Sequence, residues 1–233
     1  MHTKLTFLED LPLYDEEKPF RFVGFPNLPS EWQSNCTYVD KKVVVSDARG
    51  REKEFVLDDY GFKFIKHKSS CDLNMSEFDI TGKNEQNLAA YLEESLRLAQ
   101  KELGVERVIC FDWRIRKNLD KPVVIPADES ENFRHYTIPP AANIHCEDLT
   151  EVDKVLPEKV EYTLFSKYRN YHKWYMLSDQ QPDEAIFFVT WDSRNFDECS
   201  NVPPHGACLE IGKGSSSPRE SIEVRLLVMS PVL

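Results

Sequence analysis

The sequence predicts a mainly β fold with α additions, a sandwich or barrel carrying helices on its outside. Three observations point there. Many short runs rich in Val, Ile, Phe, Tyr and Thr alternate with turns marked by Pro126, Pro139-Pro140, Pro182 and Pro203-Pro204. Only one long stretch carries the 3–4-residue spacing of an amphipathic helix. Just 8 glycines occur, and none builds a GxGxxG or GxxxxGK[ST] phosphate loop, which removes the common nucleotide-binding α/β folds.

In chain order, residues 1–40 (with PLYDEEKPFRFVGFPNLPSEW) are rich in proline and aromatics and read as an extended, wrapping N-terminal arm. The runs KKVVVSDARG and REKEFVLDDYGFKFIKH follow as an expected hairpin, with Gly50 in the turn. Between Asn84 and Leu103, the residues Leu88, Tyr91, Leu92, Leu96, Ala99 and Leu103 share one helix face, and Gly104 stands where a C-terminal cap belongs. RVICFDWRIR reads as a strand, buried at first and then alternating, with Arg114 and Arg116 on one face. The remainder, HYTIPPAANIH, VEYTLF, EAIFFVTWDS and SIEVRLLVM, is β-like, and there is no internal repeat.

A length of 233 residues suffices for a real core, and 41% hydrophobic with 12% aromatic residues is a globular composition. The net charge of -11 argues against nucleic-acid or anionic-membrane partners, which need concentrated positive charge. No window reaches the ~20 apolar residues of a membrane helix, and the first residues lack the pattern of a secretory leader. Six cysteines without a CxxC read as free thiols in a reducing compartment, so a cytoplasmic location is expected.

Chemistry concentrates at two histidines. His145 ends the run IPPAANIH and is followed by Cys146 and Glu147, a His-x-Glu pair, and His205 follows Pro203-Pro204 sixty residues on. His-x-carboxylate plus a distant His is the sequence form of a facial triad for non-haem Fe(II), because residues i and i+2 of a strand point the same way. A loop histidine beside an acid is also common in proteins that bind no metal, so spacing alone leaves a structural role open. Beyond a Gly/Ser-rich loop, alternation in SIEVRLLVM sets Arg219, Ser221, Glu223 and Arg225 opposite Ile222, Val224 and Leu226. That polar face is either solvated or lines a barrel mouth, where Arg219 meets a carboxylate bidentately and Ser221 adds a donor.

Together DARGREKEFVLDDYGF, GVERVICFDWRIR, IPPAANIH, HKWYMLSDQQPDEAIFF and PRESIEVR resemble one family, from about Leu5 to Met229. It is that of the iron(II)- and 2-oxoglutarate-dependent oxygenases typified by the cephamycin 7α-methoxylase small subunit, with fungal natural-product hydroxylases, desaturases and endoperoxidases. The resemblance implies a double-stranded β-helix (jelly roll) flanked by helices, as a single domain over residues 1–233. It implies His145 and His205 as metal ligands, and Arg219 with Ser221 as the 2-oxoglutarate element. The implied partners are a small secondary metabolite and O₂, with Fe(II) as cofactor, 2-oxoglutarate as co-substrate, and succinate and CO₂ as co-products. Trp174, Tyr175 and Trp191 fall where they could flank the substrate, although aromatics in strands are more often core.

The sequence departs from the family after His145. The expected helical stretch and a strand with Asn-x-Trp-Arg-Pro are absent, as if two family segments were joined at His145–Cys146. A deletion, a variant using Glu147 as the metal carboxylate, and a segment missing from this sequence all account for that. The alternatives to an oxygenase are a non-catalytic partner subunit or binding module on the same scaffold, and a jelly-roll isomerase or dioxygenase that uses no 2-oxoglutarate. A homodimer is compatible with an N-terminal arm that crosses to a neighbour.

Overall fold

The computed structural model describes residues 1–25, 27–71, 85–118, 140–193, 202–208 and 219–229. They fall into two compact units, one of residues 1–66 with 141–214, the other of 67–140 with 215–233. Ten strands and three α-helices are present among the described residues, a mainly β content as expected.

The first unit is built on β1 (His2–Leu8) and β3 (Tyr38–Asp47), antiparallel from His2↔Val44 to Leu8↔Tyr38. Alternation sends Thr3, Leu5 and Phe7 inward on β1, and Val43 and Val45 inward on β3. Leu5, Phe7, Val43, Val45 and Ile144 form one buried cluster, with Tyr168, Trp174 and Met176 against it. Phe7 is fully buried and takes the rings of Tyr168 and Trp174 edge-on at 5.4 and 5.6 Å. Residues 1–40, expected as an arm, therefore supply the core-facing strand β1, then a four-residue helix α1 (Leu13–Glu16) and β2 (Phe20–Phe22). The Pro and aromatic content misled because β1 lies before it, in the short alternation HTKLTFL.

The expected hairpin does not form either. β3 pairs on its other edge with the distant β8 (Trp174–Met176), in parallel. After the left-handed turn at Gly50 (φ 83°), residues 52–54 make a 3-10 turn and Leu57–Tyr60 a short helix, α2. β4 (Phe62–Lys66) then joins β9 (Glu184–Phe188) antiparallel. Two interactions impose this path. Arg49 grips Glu184 through Nη1 at 2.5 Å and Nη2 at 2.9 Å, and its Nε donates to the Ser178 carbonyl at 3.1 Å. The Arg49 contacts, with a further bond from the Gln181 N–H, lower the pKa of the Glu184 carboxyl to about 2. Phe55, 3% exposed, inserts between Tyr60, Phe62, Phe64 and Tyr175 with centroids 4.9–5.4 Å away. Burying that ring outweighs the local β pattern of KEFVLDDYGF.

A third ladder has β6 (His145–Val155) between β2, in parallel, and β7 (Val160–Phe165), antiparallel. Phe165 stands opposite both His145 and Thr150, so the register shifts across residues 146–149. That is the stretch where the sequence reads as two joined segments.

In the second unit, helix α3 (Glu85–Leu103) ends at Gly104 (φ 66°), and the Val105 N–H donates to the Gln100 carbonyl at 3.1 Å, a Schellman closure. β5 (Arg107–Lys117) and β10 (Glu220–Met229) form an antiparallel ribbon with a bulge between Arg225 and Leu226. Contrary to expectation, the first half of β5 is the more open: Ile109 and Phe111 are exposed, while Asp112 and Ile115 are buried. Glu94 accepts bonds from His67 Nε2 at 2.7 Å, from the Ser70 N–H at 2.9 Å and from the Ser70 hydroxyl. Partial desolvation opposes these bonds, yet they win and hold the carboxyl at about 2. Among the described residues no helix is long and apolar enough to cross a membrane.

Two outcomes follow. Phe55→Ala should lower the unfolding free energy by about 3–5 kcal/mol in urea titrations, and a loss below about 1 kcal/mol would show that the ring is not a core element. Because the Glu94 carboxyl is depressed in the fold, its contribution is complete above its ordinary value of 4.5 and lost as pH falls toward 2. The stability gap between wild type and Glu94→Gln should therefore close over that window, and a pH-independent gap would contradict the assignment.

Candidate metal centre

His145 opens β6, and its neighbour Ile144 anchors it in the core. The Ile144 N–H donates to the Thr6 carbonyl at 2.9 Å, and the Ile144 carbonyl accepts from Ser166 N–H at 3.0 Å. On the free edge comes the segment after Pro203-Pro204. His145 and His205 exchange both backbone bonds, N–H to carbonyl in each direction at 3.0 Å, as an antiparallel bridge. A pair bonded in this way presents its side chains on one side of the backbone. The two imidazoles accordingly lie with centroids 4.3 Å apart and planes inclined by 57°.

Each ring is steered by a carbonyl two residues earlier. His145 Nδ1 is 2.9 Å from the Asn143 oxygen, and His205 Nδ1 is 3.1 Å from the Pro203 oxygen. A carbonyl oxygen only accepts, so in the neutral rings these contacts favour the proton on Nδ1 and leave the lone pair on Nε2. Metal-binding histidines use this arrangement, in which the far nitrogen is held by a backbone acceptor. Pro204 helps produce it, because a residue before proline is biased toward extended backbone. Two neighbouring imidazoles of this kind suit a divalent first-row metal such as iron.

The third expected ligand, Glu147, falls in 146–149, whose side chains lie outside the described residues. Among the described residues no group of three or more His, Cys, Asp and Glu side chains gathers to hold a metal. Other histidines have different roles. His67 binds Glu94, and His172 stacks edge-on against Trp174 at 5.7 Å with its pKa pushed down by burial and by Arg169.

Arg219 and Ser221 belong to the second unit. Arg219 is exposed just before β10, and its carbonyl accepts from Asn118 N–H at 3.0 Å. Ser221 stands opposite Arg116, Glu223 opposite Arg114, and Arg225 opposite Asp112. The polar faces expected separately for the two strands are thus one face of one ribbon. Arg116 clasps Glu223 through Nε at 2.9 Å and Nη2 at 3.1 Å, and Arg114 Nη2 reaches Asp112 at 2.9 Å. Both arginine side chains are largely buried, 14% and 13% exposed for Arg114 and Arg116, so the face is not simply solvated.

Of the aromatics expected near substrate, Trp174 packs on Phe7 and Tyr175 on Phe55, so both belong to the core. Trp191 is exposed. The aromatic that does meet the centre is Phe188, whose centroid lies 4.6 Å from that of His205. Its signal was available in the alternation of EAIFF, which puts Ile186 and Phe188 on one face, but the proximity to His205 is a tertiary fact.

The family model described as an oxidoreductase/YMDC permease-like domain matches residues 5–147 and 138–229, two segments that overlap at 138–147 rather than one unbroken span. A hydroxylase/desaturase named asaB from Aspergillus flavus is 28% identical over 202 residues, covering 81% of this chain and 80% of that protein. An alpha-ketoglutarate-dependent dioxygenase named phiK from a fungal species is 24% identical over 240 residues, covering 81% of this chain and 84% of that protein. Among solved structures, the iron and alpha-ketoglutarate-dependent endoperoxidase NvfI superposes with a TM-score of 0.75 at 20% identity, covering 98% of this chain and 97% of that one. A variant of it gives 0.77 at 19% identity, covering 99% and 97%. The fold is therefore that of these oxygenases, and with its matched segments spanning most of its length the chain belongs to the oxidoreductase/YMDC permease-like domain family.

Proposed function

We propose that this chain is an Fe(II)- and 2-oxoglutarate-dependent oxygenase acting on a small secondary metabolite, by hydroxylation, desaturation or a related C–H oxidation. The observation that carries the reading is the bridged pair His145–His205, with each Nδ1 turned to a backbone carbonyl. The names of the relatives, a hydroxylase/desaturase and an alpha-ketoglutarate-dependent dioxygenase, support the same chemistry. The reading takes residues 1–233 as one oxygenase domain on a double-stranded β-helix, cytoplasmic and able to form a homodimer.

In this reading His145 and His205 hold iron through Nε2, and Glu147 is the carboxylate that completes the set. Arg219 binds the far carboxylate of 2-oxoglutarate, with the Ser221 hydroxyl beside it. When bound, iron and 2-oxoglutarate supply the activation of O₂ and the oxidation of a substrate C–H bond, with succinate and CO₂ as co-products. The chain's own share is positioning. The carbonyls of Asn143 and Pro203 fix the two ligand rings, and Phe188 packs an apolar ring against His205.

The register shift across 146–149 favours a second reading, in which the centre is incomplete and the chain is a non-catalytic partner on an oxygenase scaffold. Anaerobic addition of Fe(II) and 2-oxoglutarate separates the two. The oxygenase gives a visible charge-transfer band and metal-dependent turnover of 2-oxoglutarate, His205→Ala loses both, and Arg219→Ala weakens 2-oxoglutarate binding about ten- to a hundredfold. Neither band nor turnover in wild type would overturn the proposal in favour of the partner reading. Turnover that survives Arg219→Ala without a keto acid would point to a dioxygenase of another type.

A further inference from the structure

We propose that Gly206 is a positioning residue of the histidine pair, required because any side chain there would press on both Ile144 and the carbonyl that orients His145. The inference rests on the metal reading above only for its functional consequence. Beside the bonded pair His145/His205, the next facing positions in an antiparallel ladder are Ile144 and Gly206, and side chains in such a non-bonded pair approach closest. A Cβ on Gly206 would lie 2.8 Å from Ile144 Cδ1, 3.3 Å from the Asn143 carbonyl oxygen and 3.4 Å from Ile144 Cα. Its φ is not in the left-handed range, so the constraint is close approach and not backbone conformation.

Neither neighbour can retreat easily. Ile144 is 1% exposed, packed with Leu5, Phe7, Val43 and Val45, and its backbone is bonded to Thr6 on one side and Ser166 on the other. Moving Cδ1 means rotating a β-branched side chain inside a close-packed cluster. The Asn143 oxygen is the acceptor of His145 Nδ1 at 2.9 Å, so displacing it turns that ring. The segment after Gly206 is held as well, because the Ala207 N–H donates to the Ala141 carbonyl at 2.7 Å. Gly206 is itself exposed, so the strain would be relieved outward, carrying the adjacent His205 away from His145. A methyl group at one exposed position therefore uncouples the two rings.

The test is a titration of metal-free protein with Co(II), followed by calorimetry, on wild type, Gly206→Ala, Ile144→Val and the double variant. Ile144→Val deletes Cδ1, the closest obstacle. Gly206→Ala should weaken binding about tenfold or more, as loss of orienting contacts does at metal sites. Ile144→Val alone, which keeps the backbone bonds to Thr6 and Ser166, should weaken binding less than Gly206→Ala does, and the double variant should bind more tightly than Gly206→Ala. The ring C–H proton resonances of His145 and His205, read without metal, should shift in Gly206→Ala and return in the double variant. Wild-type affinity and unshifted rings in Gly206→Ala would overturn the inference, as would a damaged or insoluble Gly206→Ala that Ile144→Val does not recover. Wild-type protein that binds no Co(II) would sink the metal reading, while the ring resonances still decide whether Gly206 places the pair.

Discussion

The backbone exchange between His145 and His205 is the interaction on which the candidate centre depends. Two residues sixty positions apart share both of their peptide hydrogen bonds, which brings their imidazoles to 4.3 Å before any ligand is considered. A pair of surface histidines without such a bridge would sample many rotamers, and a metal would have to offset that lost freedom. Here the ordering cost is met during folding, by the ladder and by the carbonyls of Asn143 and Pro203.

The ladder is only as rigid as its support. Ile144 links it to the cluster of Leu5, Phe7, Val43 and Val45, so β1 and β3 act through the core on the position of His145. That is why the first strand, before any feature of chemical interest, bears on the site. Phe188 provides a second link, because it belongs to the β4–β9 ladder and touches the His205 ring. In the other unit, Arg114 and Arg116 of β5 are bound to Asp112 and Glu223, and Arg225 of β10 lies 3.7 Å from Asp112. Arg219 stands on the exposed lead-in to β10.

Much of this was legible in the residues because the signals are local. The helix with its Gly104 cap, the strands over 107–117, 160–165 and 220–229, and the sequence neighbourhood of both histidines follow from periodicity and turn chemistry. Partner choice was not legible. KKVVVSDARG and REKEFVLDDYGFKFIKH look like adjacent strands, yet the pairing β3–β8 and β4–β9 depends on Arg49 finding Glu184 and on Phe55 finding Tyr175, contacts between distant residues. The N-terminal strand was hidden by the proline-rich stretch that follows it. Phe188 and Gly206 escaped notice for the same reason, since their importance comes from what faces them across the fold. The join at His145–Cys146, by contrast, was visible as a missing motif, and a register shift and the overlap of two matched family segments fall at the same place.

The most direct test of the central claim is the protonation pattern of the two rings in the metal-free protein, read from nitrogen-15 shifts and long-range couplings in selectively labelled histidine. With carbonyls of Asn143 and Pro203 as acceptors, both His145 and His205 should be protonated at Nδ1 when neutral, with Nε2 carrying the lone pair and shifting on addition of a divalent metal. Protonation at Nε2 in either ring, or rapid exchange between tautomers without a metal response, would contradict the account of the bridged pair as a preorganised metal centre.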